Sequence, residues 1–278
     1  MTRVLVLTAL AMVAFASNSL LCRIALRETA IDAATFTLVR IVSGAVCLGV
    51  LVRLRTAGWT KTGSWSSALA LFAYAAFFSF AYLQLTAGTG ALLLFGAVQA
   101  TMILWAFRNG ERLRARQWTG FGIAIIGLVL LVSPGLSAPP LSAALLMVAA
   151  GIAWGVYSLR GKGAGDPLRA TAGNFLRAVP MALLLSLITF PGARFDGAGM
   201  VYAIFSGAVA SGLGYAVWYT ALPALRSTAA ATVQLSVPVL AALGGIIFLG
   251  EAVTLRLGLA SIAVLGGIAL VVRERRAT

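Results

Sequence analysis

Few residues in this chain could do chemistry, and their types narrow it sharply. Among 278 residues there is no histidine, which removes imidazole metal sites, Ser-His-Asp triads and His proton relays. Seven carboxylates are present, at Glu28, Asp32, Glu111, Asp166, Asp196, Glu251 and Glu274, and each falls between apolar runs or at the end of one. Glu111 and Glu251 both follow a glycine just before an apolar run, where the N-terminal end of the next helix dipole favours a negative charge. They read as structural or gating residues. The two cysteines, Cys22 and Cys47, lie at different depths of successive runs, which suits apolar packing and not a disulfide. No catalytic residue, metal or cofactor is expected.

The residues that could bind something are rings and amides. Tyr74, Phe78 and Tyr82 recur at every fourth position and share one helical face. Trp154 and Tyr157 lie in a later run, and Tyr215, Trp218 and Tyr219 follow the small residues Gly207, Ser211 and Gly214. Two readings stay open for these rings. They anchor helices at a lipid interface or pack helices together, or they wall a cavity that suits an apolar or aromatic ligand. Asn18, Gln99 and Gln234 each lie in an apolar run. An unpaired amide in hydrocarbon is costly, so each must face protein or a wet cavity. The expected substrate-binding set is Tyr74, Phe78, Tyr82, Gln99, Trp154, Tyr157, Tyr215, Trp218 and Gln234, with Asn18 structural or gating. Pro238 follows Gln234 by four residues, frees a backbone carbonyl one turn earlier and would kink its helix at a gate. Arg40 and Arg177 are charges inside apolar runs. Their matched placement suits snorkelling or bonds to backbone carbonyls better than an anion-facing charge for a carboxylate.

Composition says what positions these residues. The chain is 61% hydrophobic and only 10% charged, where soluble domains carry about 25% charged residues. Its mean hydropathy is +1.00. The net charge of +14 sits in short gaps between apolar runs, not as a basic stripe on a soluble fold, so no nucleic-acid partner is expected. A spanning helix needs about 20 mostly apolar residues. Ten such runs are legible: 4–22, 33–52, 65–86, 89–107, 118–133, 141–159, 170–190, 199–221, 226–249 and 257–272. Arg3 and Ala14-Phe15-Ala16 give the first run the form of a signal peptide, but the segment recurs later, so it counts as a span. With the N-terminus inside, 15 of the 21 Lys and Arg residues fall on the cytoplasmic side and 4 outside. That imbalance puts both termini in the cytoplasm of a multi-pass inner-membrane protein in contact with lipid.

The runs also repeat. Phe15-Ala16-Ser17-Asn18-Ser19 aligns with Trp154-Gly155-Val156-Tyr157-Ser158 at an offset of 139, Arg40 with Arg177 at 137, and Gly110-Glu111 with Gly250-Glu251 at 140. Residues 1–137 and 138–278 thus form two five-helix halves, and an odd number of spans inverts the second. An inverted repeat implies a substrate site near the midplane between halves and alternating access. A proton-coupled exporter of cations needs an acid inside the membrane. With none placed mid-helix, a neutral or zwitterionic substrate and passive transport are expected. A membrane-embedded hydrolase or transferase would need a nucleophile and base in the bilayer, so the chain is not expected to be an enzyme.

These features together resemble the drug/metabolite transporter superfamily, in its ten-helix EamA-type branch. The motifs are the Gly-Glu pair before the last helix of each half, the Val233-Gln234-Leu235-Ser236-Val237-Pro238 context, and Trp154-Gly155. Val98 stands where a counterpart of Pro238 would align. The likeness is nearest to aromatic amino-acid exporters of that branch. It implies export of amino acids, biased to aromatic and other apolar ones, with a multidrug or paraquat-like organic-cation exporter as the alternative. The sequence leaves the oligomeric state open, and a monomer suffices. In a background lacking Cys22 and Cys47, a cysteine at Ala138 should react with membrane-impermeant reagent added outside cells. Labelling only from the cytoplasm would invert the topology.

Overall fold

The chain's computed structural model describes residues 2–55, 62–110, 114–135, 137–161, 165–225 and 233–274. Among the described residues the structure is helical: α1 (Thr2–Glu28), α2 (Ala33–Arg55), α3 (Trp65–Tyr82), α4 (Ala87–Arg108), α5 (Ala115–Val132), α6 (Leu141–Gly161), α7 (Pro167–Ile188), α8 (Gly197–Ala224), α9 (Ser236–Leu249) and α10 (Leu255–Glu274). Nine of these are long and apolar enough to cross a membrane, and α9 is an apolar helix of 14 residues. A helix bonds its own backbone, which is the condition for crossing hydrocarbon. The chain is a multi-pass membrane protein. Successive spans alternate in direction, so the bundle has a terminal side, where α1 starts and α10 ends, and a far side.

Packing is inside-out relative to a water-soluble protein. Alanines 11, 25, 81, 91, 143, 150, 178, 182 and 241 are fully buried, while Ile262 and Phe248 are more than 70% exposed. Small residues let backbones approach where no hydrophobic driving force exists between helices in lipid. Contacts are long-range: α2 packs on α7, α5 on α10, α3 and α4 on α6, and α8 and α9 on α1. Exchanging the first five helices with the last five maps this set of pairs onto itself.

Two sequence features acquire local reasons. Gly110 and Gly250, the recurring glycines, have φ of +88° and +60°, a left-handed conformation that terminates α4 and α9 and disfavours side chains. Pro238 does not kink the middle of a long helix. Its missing N–H falls in the first turn of α9, and the helix is broken at Leu235. The expected span 226–249 is therefore interrupted, and its residues 226–232 lie outside the described residues, as does Glu111. Val98, the counterpart position, sits in unbroken helix. A nine-residue π-helical segment, Phe205–Leu213, lies within α8, and nothing in the sequence reading anticipated it.

Connections on the far side are tied by Asp32. Its carboxylate accepts from the N–H groups of Ala34 (2.9 Å) and Thr35 (3.0 Å), capping α2, and from the N–H of Arg194 (2.9 Å) in the α7–α8 connection. Partial burial raises the carboxyl pKa. The bonds from Thr35, Arg194 and Ala34 outweigh that and hold it below the usual carboxylate range. A group lowered on folding contributes stability above its unfolded pKa and loses it as pH falls through the folded one. The melting temperature of the parent should therefore exceed that of Asp32→Asn at neutral pH. The gap should narrow once pH drops below the usual carboxylate range. A gap that is constant down to strong acid would show that the charge is not what joins these loops.

Candidate functional site

Rings marked in the sequence meet in the middle of the bundle. Tyr74 and Phe78 of α3, Trp154 of α6 and Tyr215 of α8 line a cavity of about 20 Å³ with Phe15, Asn18 and Ser19 of α1 and Leu94 and Phe95 of α4. Room of that size holds about one water and no larger molecule, so the rings close on one another. Trp154 stacks on Tyr215 (5.2 Å) and on Tyr157 (5.4 Å) and leans on Tyr74 (4.9 Å). Phe15 meets Tyr215 edge-on at 5.8 Å.

Small residues aim these rings. A Cβ on Gly151 would fall 2.6 Å from Ala97 Cβ, and one on Gly155 2.9 Å from Thr101 Cβ, so α6 lies directly on α4 and presents Trp154 inward. In α8 the π-helical segment brings Ser206 and Ser211 to Asn18. Ser206 Oγ donates to Asn18 Oδ1 (2.8 Å), and Asn18 Nδ2 donates to Ser211 Oγ (3.3 Å). The amide at the cavity wall is thus satisfied across the two halves of the chain.

A larger cavity of about 160 Å³ lies on the terminal side. Tyr157, Tyr219, Arg160, Asn174, Ser64 and Ser67 line it, and it reaches the connections at Gly63, Gly161 and Pro167. Arg160 Nε donates to Ser67 Oγ (3.1 Å), and its guanidinium also bonds Ser66. Tyr157 walls this cavity and Trp154 walls the small one, so their stacked rings form a partition between the two.

The far side is closed by an ion pair. Glu251 Oε1 accepts from Arg23 Nε (3.2 Å), with side chains 6% and 12% exposed. Glu251 Oε2 accepts from the N–H of Ala87 (2.8 Å), the first residue of α4. Arg23 Nη1 donates to the carbonyls of Tyr82 (2.9 Å) and Leu83 (3.2 Å). This corrects the expectation that Glu251 caps the helix after it. Thr254 Oγ1 accepts from Leu257 N there (3.1 Å), and Glu251 caps α4, because it folds back under the left-handed turn at Gly250.

Other expected site residues lie apart from the small cavity. Tyr82 is fully buried, touches Phe78 (4.7 Å) and donates its hydroxyl to Ala87 O (3.3 Å), which places it in the far-side seal. Gln99 is buried on α4 one turn past Phe95 and lines neither cavity. Gln234 is half-buried in the turn before α9, a consequence of the break at Leu235. Trp218 packs behind Phe15 at 6.0 Å. Asn18, expected to be structural or gating and to face protein or a wet cavity, is the amide that lines the small cavity. Phe15, which the repeat aligns with Trp154, and Arg23 are functional-site neighbours outside the expected set. The two intramembrane arginines differ. Arg177 donates to the carbonyls of Thr62 (2.7 Å) and Gly173 (2.9 Å). Arg40 is buried, donates to Tyr74 Oη (2.9 Å), and lies over the rings of Tyr74 and Phe78. No cluster that could hold a metal ion occurs among the described residues.

Comparisons with known proteins agree with this architecture. The model of the EamA-like transporter family matches residues 141–273. An uncharacterized protein of Pseudomonas aeruginosa, PA1977, is 59% identical, over 98% of this chain and 96% of its own. A probable amino-acid metabolite efflux pump of Salmonella typhimurium is 27% identical over 60% of this chain and 61% of its own. An uncharacterized transporter of Archaeoglobus fulgidus is 29% identical over 73% and 74%. A solved crystal structure shares the fold with a TM-score of 0.71 at 19% identity, covering 100% of this chain and 99% of that one.

Proposed function

This chain belongs to the EamA-like transporter family, and we propose on that premise that it exports amino acids, with a bias to aromatic and other apolar ones, across the inner membrane. The observation that carries the substrate class is the closed ring cluster of Tyr74, Phe78, Trp154 and Tyr215, with no carboxylate lining either cavity among the described residues. Ring faces take an apolar or aromatic side chain, and Asn18 and Ser19 offer hydrogen bonds to a polar end. An organic cation would meet no opposite charge there, and Arg160 would repel it at the larger cavity. The name of the Salmonella relative points the same way.

In this reading residues 1–137 and 138–278 are inverted repeats, supported by helix contacts that survive exchange of the halves. Both termini are cytoplasmic, so the larger cavity is the entry from inside and the Arg23–Glu251 pair is the outer gate. Substrate entering from Tyr219 and Asn174 parts the Trp154–Tyr157 partition and seats among the rings. Release outward then needs the ion pair to open and the partition to re-form behind it. Transport runs down the substrate gradient, because among the described residues no carboxylate lines either cavity to exchange a proton.

Proteoliposomes with the purified protein test this with labelled amino acids, with and without a proton gradient. Phenylalanine, tyrosine and tryptophan should move down their gradients at rates a protonophore leaves unchanged. Trp154→Ala removes stacking worth about 0.5–1.5 kcal/mol beyond lost area, so the apparent affinity should weaken a few-fold to tenfold. Flux of a paraquat-like cation without amino-acid flux would favour the alternative exporter and refute the proposal.

A further inference from the structure

Arg40 is a buried charge on the inner face of α2 that the transport cycle above leaves without a task, and its surroundings are unusual. It is 2% exposed in the middle of the bundle. Ion pairs among the described residues join Arg23 to Glu251, Arg27 to Glu28 and Arg169 to Asp166, and none includes Arg40. Its charge is instead held by ring faces, with Cζ 4.8 Å from the Phe78 centroid and 5.1 Å from that of Tyr74. Cation–π contact is a weak substitute for a counter-ion. Nη2 donates to Tyr74 Oη, and Nη1, fully buried, has no hydrogen-bond partner. Arg177, its match in the second half, is satisfied by two backbone carbonyls. A scaffold role common to both halves would leave both guanidinium groups alike.

We propose that Arg40 is the carboxylate anchor of the substrate site, the planar N–H pair of Nη1 and Nη2 gripping a carboxylate that replaces the Tyr74 hydroxyl. This rests on the amino-acid reading and sharpens it. Tyr74 makes the exchange local, because the same ring holds Nη2 and walls the cavity. Turning that ring opens volume beside Trp154 and frees the second N–H in one movement. Two parallel N–H groups match a carboxylate, and the bound anion neutralises a charge that is otherwise costly at this depth. The substrate's ring then lies against Trp154 and Tyr215. Its ammonium faces the oxygen atoms of Asn18 and Ser19, which line the same cavity. The site would thus select for the acid end of an amino acid, and an amine lacking the carboxylate would bind poorly.

Binding to the purified full chain separates the possibilities, using phenylalanine, 3-phenylpropionate (no ammonium), phenethylamine (no carboxylate) and methyl viologen, read by calorimetry. The parent should bind the two carboxylates at least about tenfold more tightly than phenethylamine, the usual scale of a charge-assisted bond. Arg40→Gln should abolish that preference. Arg40→Lys, which keeps a charge but loses the fork, should reduce it and keeps the test open if the glutamine variant does not fold. Merely structural damage would weaken all ligands alike and leave the ratio. An unchanged ratio in either folded variant overturns the anchor while the amino-acid reading stands. Tight, Arg40-dependent binding of 3-phenylpropionate, equal to that of phenylalanine, supports the anchor and refutes amino-acid specificity. Preference of the parent for phenethylamine or methyl viologen, or no carboxylate binding at millimolar concentration, overturns both.

Discussion

A carboxylate buried in an apolar bundle has to be satisfied, and Glu251 is where that constraint shapes the molecule. Its two oxygens take the Arg23 guanidinium and the free N–H of Ala87, so one side chain gathers α1, α4 and the α9–α10 connection. Arg23 extends the grip to the last carbonyls of α3. Removing one partner of a buried pair leaves an uncompensated charge, which is far more damaging than losing both. The far side is therefore closed by a switch that is either made or broken. The terminal side is closed by Trp154 stacked on Tyr157 and Tyr215, contacts that are individually weak and slide without leaving a charge exposed. In the proposed transport cycle this difference in the two seals favours entry of ligand from the terminal side.

On the proposed repeat the two halves are alike but not equal, and they differ in backbone regularity. Gly110 and Gly250 keep the same left-handed turn. By contrast, Pro238 breaks the chain before α9 while Val98 leaves α4 continuous. The π-helical segment is in α8, and α3, its counterpart, is regular and carries the aromatic stripe. Both halves supply rings, Tyr74 and Phe78 from the first and Trp154 and Tyr215 from the second, while the buried charge of Arg40 comes from the first half and the irregular backbone from the second. Broken or irregular backbone is tolerated at membrane depth only where protein surrounds it. Ser206 and Ser211, bonded to Asn18, meet that condition in α8.

Much of this was legible in the sequence, for physical reasons. Continuous apolar runs of about 20 residues mark helices, because a spanning strand needs only about 10, and the runs at 33–52 and 141–159 match α2 and α6 closely. The every-fourth stripe of Tyr74, Phe78 and Tyr82 placed them on one face of α3, and Tyr74 and Phe78 do line the cavity. What spacing cannot supply is depth and partner. Tyr82 shares the stripe but sits one turn nearer the far side, where its hydroxyl is used by Ala87. Gln99 and Gln234 resemble Asn18 because all are amides in apolar runs, yet of the three only Asn18 lines the small cavity. Arg23 and Glu251 are 228 residues apart, and no local pattern links them. Equal placement of Arg40 and Arg177 suggests equal roles, but their bonding partners differ.

The central claim is that the Glu251 carboxylate holds the far side shut. Spin labels at Leu83 and Val253, exposed on either side of that cluster, measure it directly when introduced in a chain lacking Cys22 and Cys47. The parent in liposomes should give one short separation by pulsed double-resonance spectroscopy. Glu251→Gln, which keeps the shape and removes the charge, should add a longer-distance population. An unchanged distance distribution in the folded variant would contradict the account, and the ion pair would be packing and not a gate.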